Sequence, residues 1–267
     1  MSSTLRLTPP LLQGIGRAPS VVERNVVVYQ RGWLMFASGV LEPLFYLLSL
    51  GLGLGHLISS VTLGTGQTVT YQEFVAPAML AASAMQGAVL DVTYNVFFRF
   101  KYAKLYDAML ATPLSTSSVA VGEVAWAVMR GAAYSAMFLL VMLALGLVLS
   151  WWAVLVLPAA VLAGFAFAGA GMAATTYMRS WQDFSWVSLV TLPLFLLSAT
   201  FFPLATYPTW VQPIVRCSPL YPAVDLIRSF TLGHPHPGLV VDVVYLLVLG
   251  VAGTLLATKR LDRLLLT

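Results

Sequence analysis

Residues 131–178 read GAAYSAMFLLVMLALGLVLSWWAVLVLPAAVLAGFAFAGAGMAATTYM, a run of 48 residues without Asp, Glu, Lys or Arg. A helix crosses a bilayer in about 20 residues, so the run is too long for one crossing. Trp151-Trp152 falls near its middle. Tryptophan favours the membrane–water boundary, which places a turn there and a helix on each side. The second half is rich in small residues, among them Ala163, Gly164, Gly169, Ala170, Gly171 and Ala174. Small residues let helix backbones approach closely, so tight helix packing is expected here.

The whole chain agrees with this reading. Of 267 residues, 59% are apolar and 9% are charged. A soluble domain carries about 25% charged residues, and disorder requires low hydrophobicity. A soluble enzyme and a disordered chain are both excluded, and a polytopic membrane protein remains. The formal charge is +4, but the basic residues lie in short clusters between charge-free tracts. That pattern suits membrane orientation rather than a nucleic-acid groove, and no nucleic-acid partner is expected. Met1 to Ser20 has no unbroken apolar stretch, being interrupted by Pro9, Pro10 and Gly14, so no signal peptide is expected.

Working outward, the expected spans are Trp33–Leu57, Phe74–Phe98, two within 131–178, Phe184–Phe202 and Leu239–Thr258. Helix three extends backwards through Ser118 to Arg130. The expected fold is an all-α membrane protein with six transmembrane helices. Residues 1–32 form an N-terminal segment in which 20–31 reads as an interfacial amphipathic helix, with Glu23, Arg24, Gln30 and Arg31 spaced among Val22, Val26 and Tyr29. The six-span transmembrane domain is 33–258 and the tail 259–267. Pro203, Pro208, Pro213, Pro219 and Pro222 break up the segment 203–238, which reads as short re-entrant helices at the outer face. On six spans, the basic clusters around Arg24, Arg99, Arg179 and Arg260 share one side and only Arg216 and Arg228 fall opposite. Both termini are then cytoplasmic.

Candidates for chemistry are few. The three lysines are not preceded by glycine, so a phosphate-binding loop cannot occur in this chain. His234-Pro-His236 has too few ligands for a metal site, and neither catalytic residues nor a metal is assigned. Cys217 stands alone. Glu42 would lie about 14 Å into the first span, and Asp91 late in the second. A carboxylate at depth is costly and marks a pathway, a gate or an ion pair. Asp91 lies near Arg99 in the sequence, which suggests a polar network at that end. Glu123 and Arg130, seven apart, project from nearly one face of helix three. Arg179 and Asp183 flank the turn after span four. Between spans two and three, Lys101–Ala111 reads as a short helix. Its Tyr106, Met109 and Leu110 share a face that would be exposed for docking, with Lys104 and Asp107 beside it.

Asp107-Ala-Met-Leu-Ala-Thr-Pro-Leu-Ser115 strongly resembles the loop of type-2 ABC exporter permeases. Gly122-Glu-Val-Ala-Trp126, Thr175-Thr-Tyr-Met-Arg-Ser-Trp-Gln-Asp183, Ser198-Ala-Thr-Phe-Phe-Pro203 and Ser218-Pro-Leu-Tyr221 add to the likeness. The run Met178-Arg-Ser-Trp-Gln-Asp183 looks closest to the nodulation-factor, or lipo-oligosaccharide, exporter branch. The resemblance covers the chain from about Trp33 to the end. It implies six spans in the plasma (inner) membrane, pairing with a second permease copy, and a separate cytoplasmic ATPase subunit that holds ATP and Mg. It makes 101–111 the coupling helix and 203–238 the extracellular re-entrant segment. The implied substrate is amphiphilic: a lipid, a lipid-linked or lipidated saccharide, or a hydrophobic drug. An ion-coupled transporter using Glu42 or Asp91, an intramembrane enzyme and a membrane scaffold remain as rivals.

Overall fold

The computed structural model describes residues 18–29, most positions of 41–63, residues 66–112 and residues 114–265. Glu42, His56 and the expectations for 1–17 and 30–40 lie outside the described residues.

Helix α1 spans Ala18–Tyr29. Ala18, Val21, Asn25 and Tyr29 recur at three- and four-residue spacing and are buried. They lie against the long helix Thr116–Ala144 at Gly122, where an added Cβ would sit 2.6 Å from Val21 Cβ. The opposite face exposes Val27 and Val28 together with Glu23. Residues 20–29 of the helix expected over 20–31 are helical, with Asn25 on the buried face; Gln30 and Arg31 lie outside the described residues. Residues 44–49 of the expected first span are helical. A two-residue antiparallel ribbon, β1 (Val61–Thr62) with β2 (Thr68–Val69), turns through Gly66 at φ +83°. The sequence reading has no counterpart for it.

Helix α2 (Tyr71–Leu90) begins with a reciprocal cap: Glu73 N–H donates to Thr70 Oγ1 at 3.3 Å, and Thr70 N–H to Glu73 Oε2 at 2.7 Å. A π turn at Asp91–Asn95 continues it into α3 (Val96–Lys101). The whole rod has 31 residues and forms the centre of the bundle. The short α4 (Leu105–Leu110) follows Lys104, whose φ of +42° makes the sharp turn. Helix α5 (Thr116–Ala144) is capped by Ser115, whose hydroxyl accepts from Ser118 N–H at 3.2 Å.

The expected break at the tryptophan pair is real. Residues 145–150 leave the helix, one tight turn covers Trp151–Leu155 with Trp151 98% exposed, and α6 runs Val156–Thr175. The small residues of α6 pack within the chain, against α10 (Leu239–Leu265). A Cβ on Gly169 would lie 2.4 Å from Gly250 O, and one on Gly253 would lie 2.4 Å from Gly169 C. Only glycine permits backbones that close. On the next turns Gly171 faces Val92 of the π turn, and the Thr175 hydroxyl donates to Val92 O at 2.8 Å.

Four described helices are long and apolar enough to cross a membrane: Tyr71–Lys101, Thr116–Ala144, Trp151–Thr175 and Leu239–Leu265. The span expected over 184–202 is shorter than that. Helix α7 (Phe184–Leu196) has 13 residues, about 20 Å of rise against a hydrocarbon core of about 30 Å. Leu197 N–H still reaches back four residues to Pro193 O at 2.8 Å, as within a helix, and the chain then departs from it by Ala199, whose φ is a left-handed +54°. The proline-rich stretch forms a turn at Leu204–Thr206, then α8 (Gln212–Cys217) and a well-buried α9 (Leu220–Leu232). Helix α10 runs on through 259–265, the stretch read as a tail.

The distribution of surfaces is that of a membrane protein. Sixteen of the 20 residues of α2 are buried, whereas Leu140 and Leu143 on α5 and Val240, Val241 and Val248 on α10 point outward. Ser83, Thr93, Ser135 and Thr175 are buried inside. Apolar side chains face out and small or polar ones face in, which only a lipid surround favours.

Candidate functional site

Four charged residues of the bundle gather where the π-turned rod meets α5. Going along the rod, Asp91 comes first and Arg99 second; along α5, Glu123 comes first and Arg130 second. The two helices run in opposite directions, so each negative group meets a positive one. Arg130 Nη1 lies 2.7 Å from Asp91 Oδ1, and Arg99 Nη1 lies 2.6 Å from Glu123 Oε2. Asp91 is thus paired with Arg130, not with its sequence neighbour Arg99. Glu123 and Arg130 share a face, as their spacing indicated, but each binds the other helix. Asp91 and Arg99 are eight apart, which in a regular helix would leave them about 80° out of line. A π turn absorbs one extra residue. The turn at Asp91–Asn95 therefore makes eight residues behave as seven, matching the spacing on α5.

The Glu123 side chain is 0% exposed and draws together four elements. From α1, Asn25 Nδ2 donates to Oε2 at 3.0 Å and Arg24 Nη2 lies 3.9 Å from Oε1. Arg99 comes from α3. From α4, the Tyr106 hydroxyl donates to Oε1 at 3.3 Å. A buried carboxylate with this many donors loses little by leaving water. Burial, and then the Glu123 charge, push the Tyr106 hydroxyl well above its usual pKa range, so it stays a donor.

Asp91 is buried in a second cluster. Asn95 Nδ2 donates to Oδ1 at 2.5 Å and the Tyr29 hydroxyl at 3.3 Å. Arg130 Nε donates to the Tyr134 hydroxyl at 2.8 Å, and its guanidinium stacks 5.0 Å over the Tyr29 ring. Burial first, and the Asp91 charge second, push the Tyr29 hydroxyl up to about 12. Tyr29, Asn25 and Arg24 were not singled out as site residues, although the i, i+4 spacing of Asn25 and Tyr29 with Val21 puts them on one stripe.

The expected docking face of α4 is corrected by the structure. Tyr106 is buried because its hydroxyl reaches Glu123, so it is not an exposed contact. Met109 and Leu110 are half-buried, and Arg24 Nη1 donates to Met109 Sδ at 3.5 Å. The outward face is Lys104, Asp107, Ala108 and Ala111.

Arg179 and Asp183 stand apart from both clusters. Asp183 Oδ2 accepts from the backbone N–H of Arg179 at 2.7 Å and of Ser180 at 3.0 Å, closing the turn before α7. Those two N–H groups hold its carboxyl below the usual range. His236 Nε2 lies 3.2 Å from Asp225 Oδ2, while His234 meets Gln67 instead. Among the described residues no group of three or more His, Cys, Asp or Glu is placed to hold a metal.

Residues 19–232 match the family described as ABC-2 type transporter. Nodulation protein J of Rhizobium leguminosarum bv. trifolii is 36% identical over 255 residues, covering 91% of this chain and 94% of that protein. Its counterpart in R. leguminosarum bv. viciae is 33% identical, over 91% and 95%. That of Rhizobium meliloti is 32% identical, over 82% and 84%. An apolar helical bundle with buried ion pairs, matched by that family over most of its length, is a multi-pass membrane subunit: the chain belongs to the ABC-2 type transporter family, on the branch of the nodulation J proteins.

Proposed function

We propose that this chain is the transmembrane subunit of an ATP-driven exporter in the plasma membrane, moving an amphiphilic substrate: a lipid, a lipidated or lipid-linked saccharide, or a hydrophobic drug. A separate cytoplasmic subunit binds ATP and Mg, and two permease copies work together with both termini in the cytoplasm. The observation that carries the reading is the Glu123 cluster, which ties α4 to α1, to the rod α2–α3 and to α5. A push on Lys104, Asp107 and Ala108 cannot stay local. It reaches Tyr106, then Glu123 and Arg99, and so tilts two long helices. A partner that changes shape with ATP shifts the permease only if its contact with this face differs between states. The outward face of α4 is that contact. The rival in which Asp91 carries a coupling ion has less support, since Arg130, Tyr29 and Asn95 already occupy its carboxylate.

The test is purification of the tagged chain from its native membrane after crosslinking. The expected result is a stoichiometric ATPase subunit, with an Asp107→Arg change uncoupling its ATP hydrolysis from export while the complex still assembles. A chain that purifies without any ATPase overturns the reading and directs attention to gradient-driven flux.

A further inference from the structure

A cleft of about 670 Å³ lies among the described residues, within the usual range for small-molecule sites. It lies between α7 and the bundle, walled by Val89, Phe167, Ala174, Val190, Leu194 and Leu249. None of these carries a polar side-chain atom. Thr93 and Thr191 also line it, but each hydroxyl donates to a backbone carbonyl four residues back, Val89 O and Val187 O; the charged groups Arg179 and Asp183 sit with Tyr177 at one end, the mouth. Along α7 from Asp183 to Leu194 the wall rises about 16 Å. That is roughly half of a 30 Å hydrocarbon core, the depth of one leaflet.

The mouth carries one cation and one carboxylate, Arg179 and Asp183. Asp183 spends an oxygen on the Arg179 and Ser180 backbone. Arg179 is exposed and enters no ion pair among the described residues. Arg260 of α10 stacks 3.5 Å over the Tyr177 ring, and its buried Nε has no hydrogen-bond partner. One exposed guanidinium, that of Arg179, thus stands beside a committed carboxylate at the end of an apolar slot one leaflet deep, with Arg260 behind Tyr177.

We propose that this cleft holds one acyl chain of an anionic membrane lipid, drawn from the leaflet on the Arg179 side, with the headgroup at Arg179. The shape selects a chain and the charge selects an anion. The site requires only that the chain sits in a bilayer, so it stands or falls independently of the ATPase partner.

Trp186 lines the cleft and reports on it. The purified chain is placed in phosphatidylcholine nanodiscs, and phosphatidylglycerol or phosphatidylcholine brominated in the acyl chain is titrated in. The Trp186 signal is the difference from a Trp186→Phe variant. The expected result is half-quenching at about two- to fivefold lower mole fraction of the anionic lipid, the size an exposed charge pair provides. Arg179→Gln, on an exposed turn, brings that ratio to about one, as does Ala174→Phe, which fills the slot. Equal quenching by the two lipids in the unaltered chain overturns the proposal, as does a preference that survives Arg179→Gln. A Trp186 signal that vanishes as the chain dimerises makes the cleft a seam between copies, and overturns it too.

Discussion

The two sides of the bundle are built on different principles. Where α5 meets the π-turned rod, every charge has a partner: Asp91 with Arg130, Glu123 with Arg99, and α1 and α4 fastened to the same carboxylates. Elsewhere, α7 meets the rod through Phe184, whose ring stacks 4.2 Å from that of Tyr94, but is loosely packed along its middle. Cavities of about 670, 330 and 360 Å³ adjoin it, and Trp186, Leu189 and Leu192 face outward. The first region is fixed by directional bonds that few arrangements satisfy. The second is held by apolar contact that many arrangements satisfy equally. A transporter needs both: a stiff part to carry a displacement and a loose part to yield to it.

That contrast can be broken most severely at Glu123. Glu123→Ala leaves Arg99 and Arg24 facing an empty site, and a loss on the order of 3–5 kcal/mol is expected for a buried pair broken on one side. Thermal unfolding in detergent measures it, and a shift no larger than that of a surface substitution would show the cluster to be ornamental. Next in size is the coupling between Asp91→Asn and Arg130→Gln, for which a double-mutant cycle should give about 0.5–3 kcal/mol. Additive effects would mean that the two groups do not interact. On the loose side, Leu189→Ala should cost less than about 0.5 kcal/mol, since the side chain already points outward. A larger loss would show that α7 is anchored after all.

The smallest effect is expected at Asp183, and it depends on pH. Its carboxyl is held below the usual range, so its contribution is complete above the ordinary carboxylate pKa and fades as pH falls through the lowered value. Asp183→Asn should therefore melt below the unaltered chain near neutrality and converge with it in acid. Parallel melting curves at every pH would remove the turn-closing role.

Much of this was legible from residue order alone, where the signal was local. The charge-free run 131–178 with its tryptophan pair had one physical solution, two helices and a turn. The glycines of α6 announced close packing, though not that α10 would be the partner. What failed was direction. Tyr106 lies on an amphipathic stretch whose periodicity is the same whether the apolar face looks out or in, and only Glu123 across space decides it. Asp91 was read with Arg99 because the two are near in sequence; pairing across antiparallel helices needs the tertiary arrangement. The early end of α7 was hidden as well, since Phe184–Phe202 is apolar throughout and Ala199 gives no sign of its left-handed backbone.

The π turn at Asp91–Asn95 also bears on how the gene can change. Deleting any one of its five residues would leave a regular helix, a perfectly acceptable backbone with better hydrogen bonding. It would also keep Arg99 on Glu123, because seven residues of regular helix bring the two charges to nearly the same face. Residue count between Asp91 and Arg99 is therefore tied to backbone form: eight with the π turn, seven without it. Related chains can lose the turn together with one of its residues, but a further insertion should be purged, since it would swing Arg99 by about 100°.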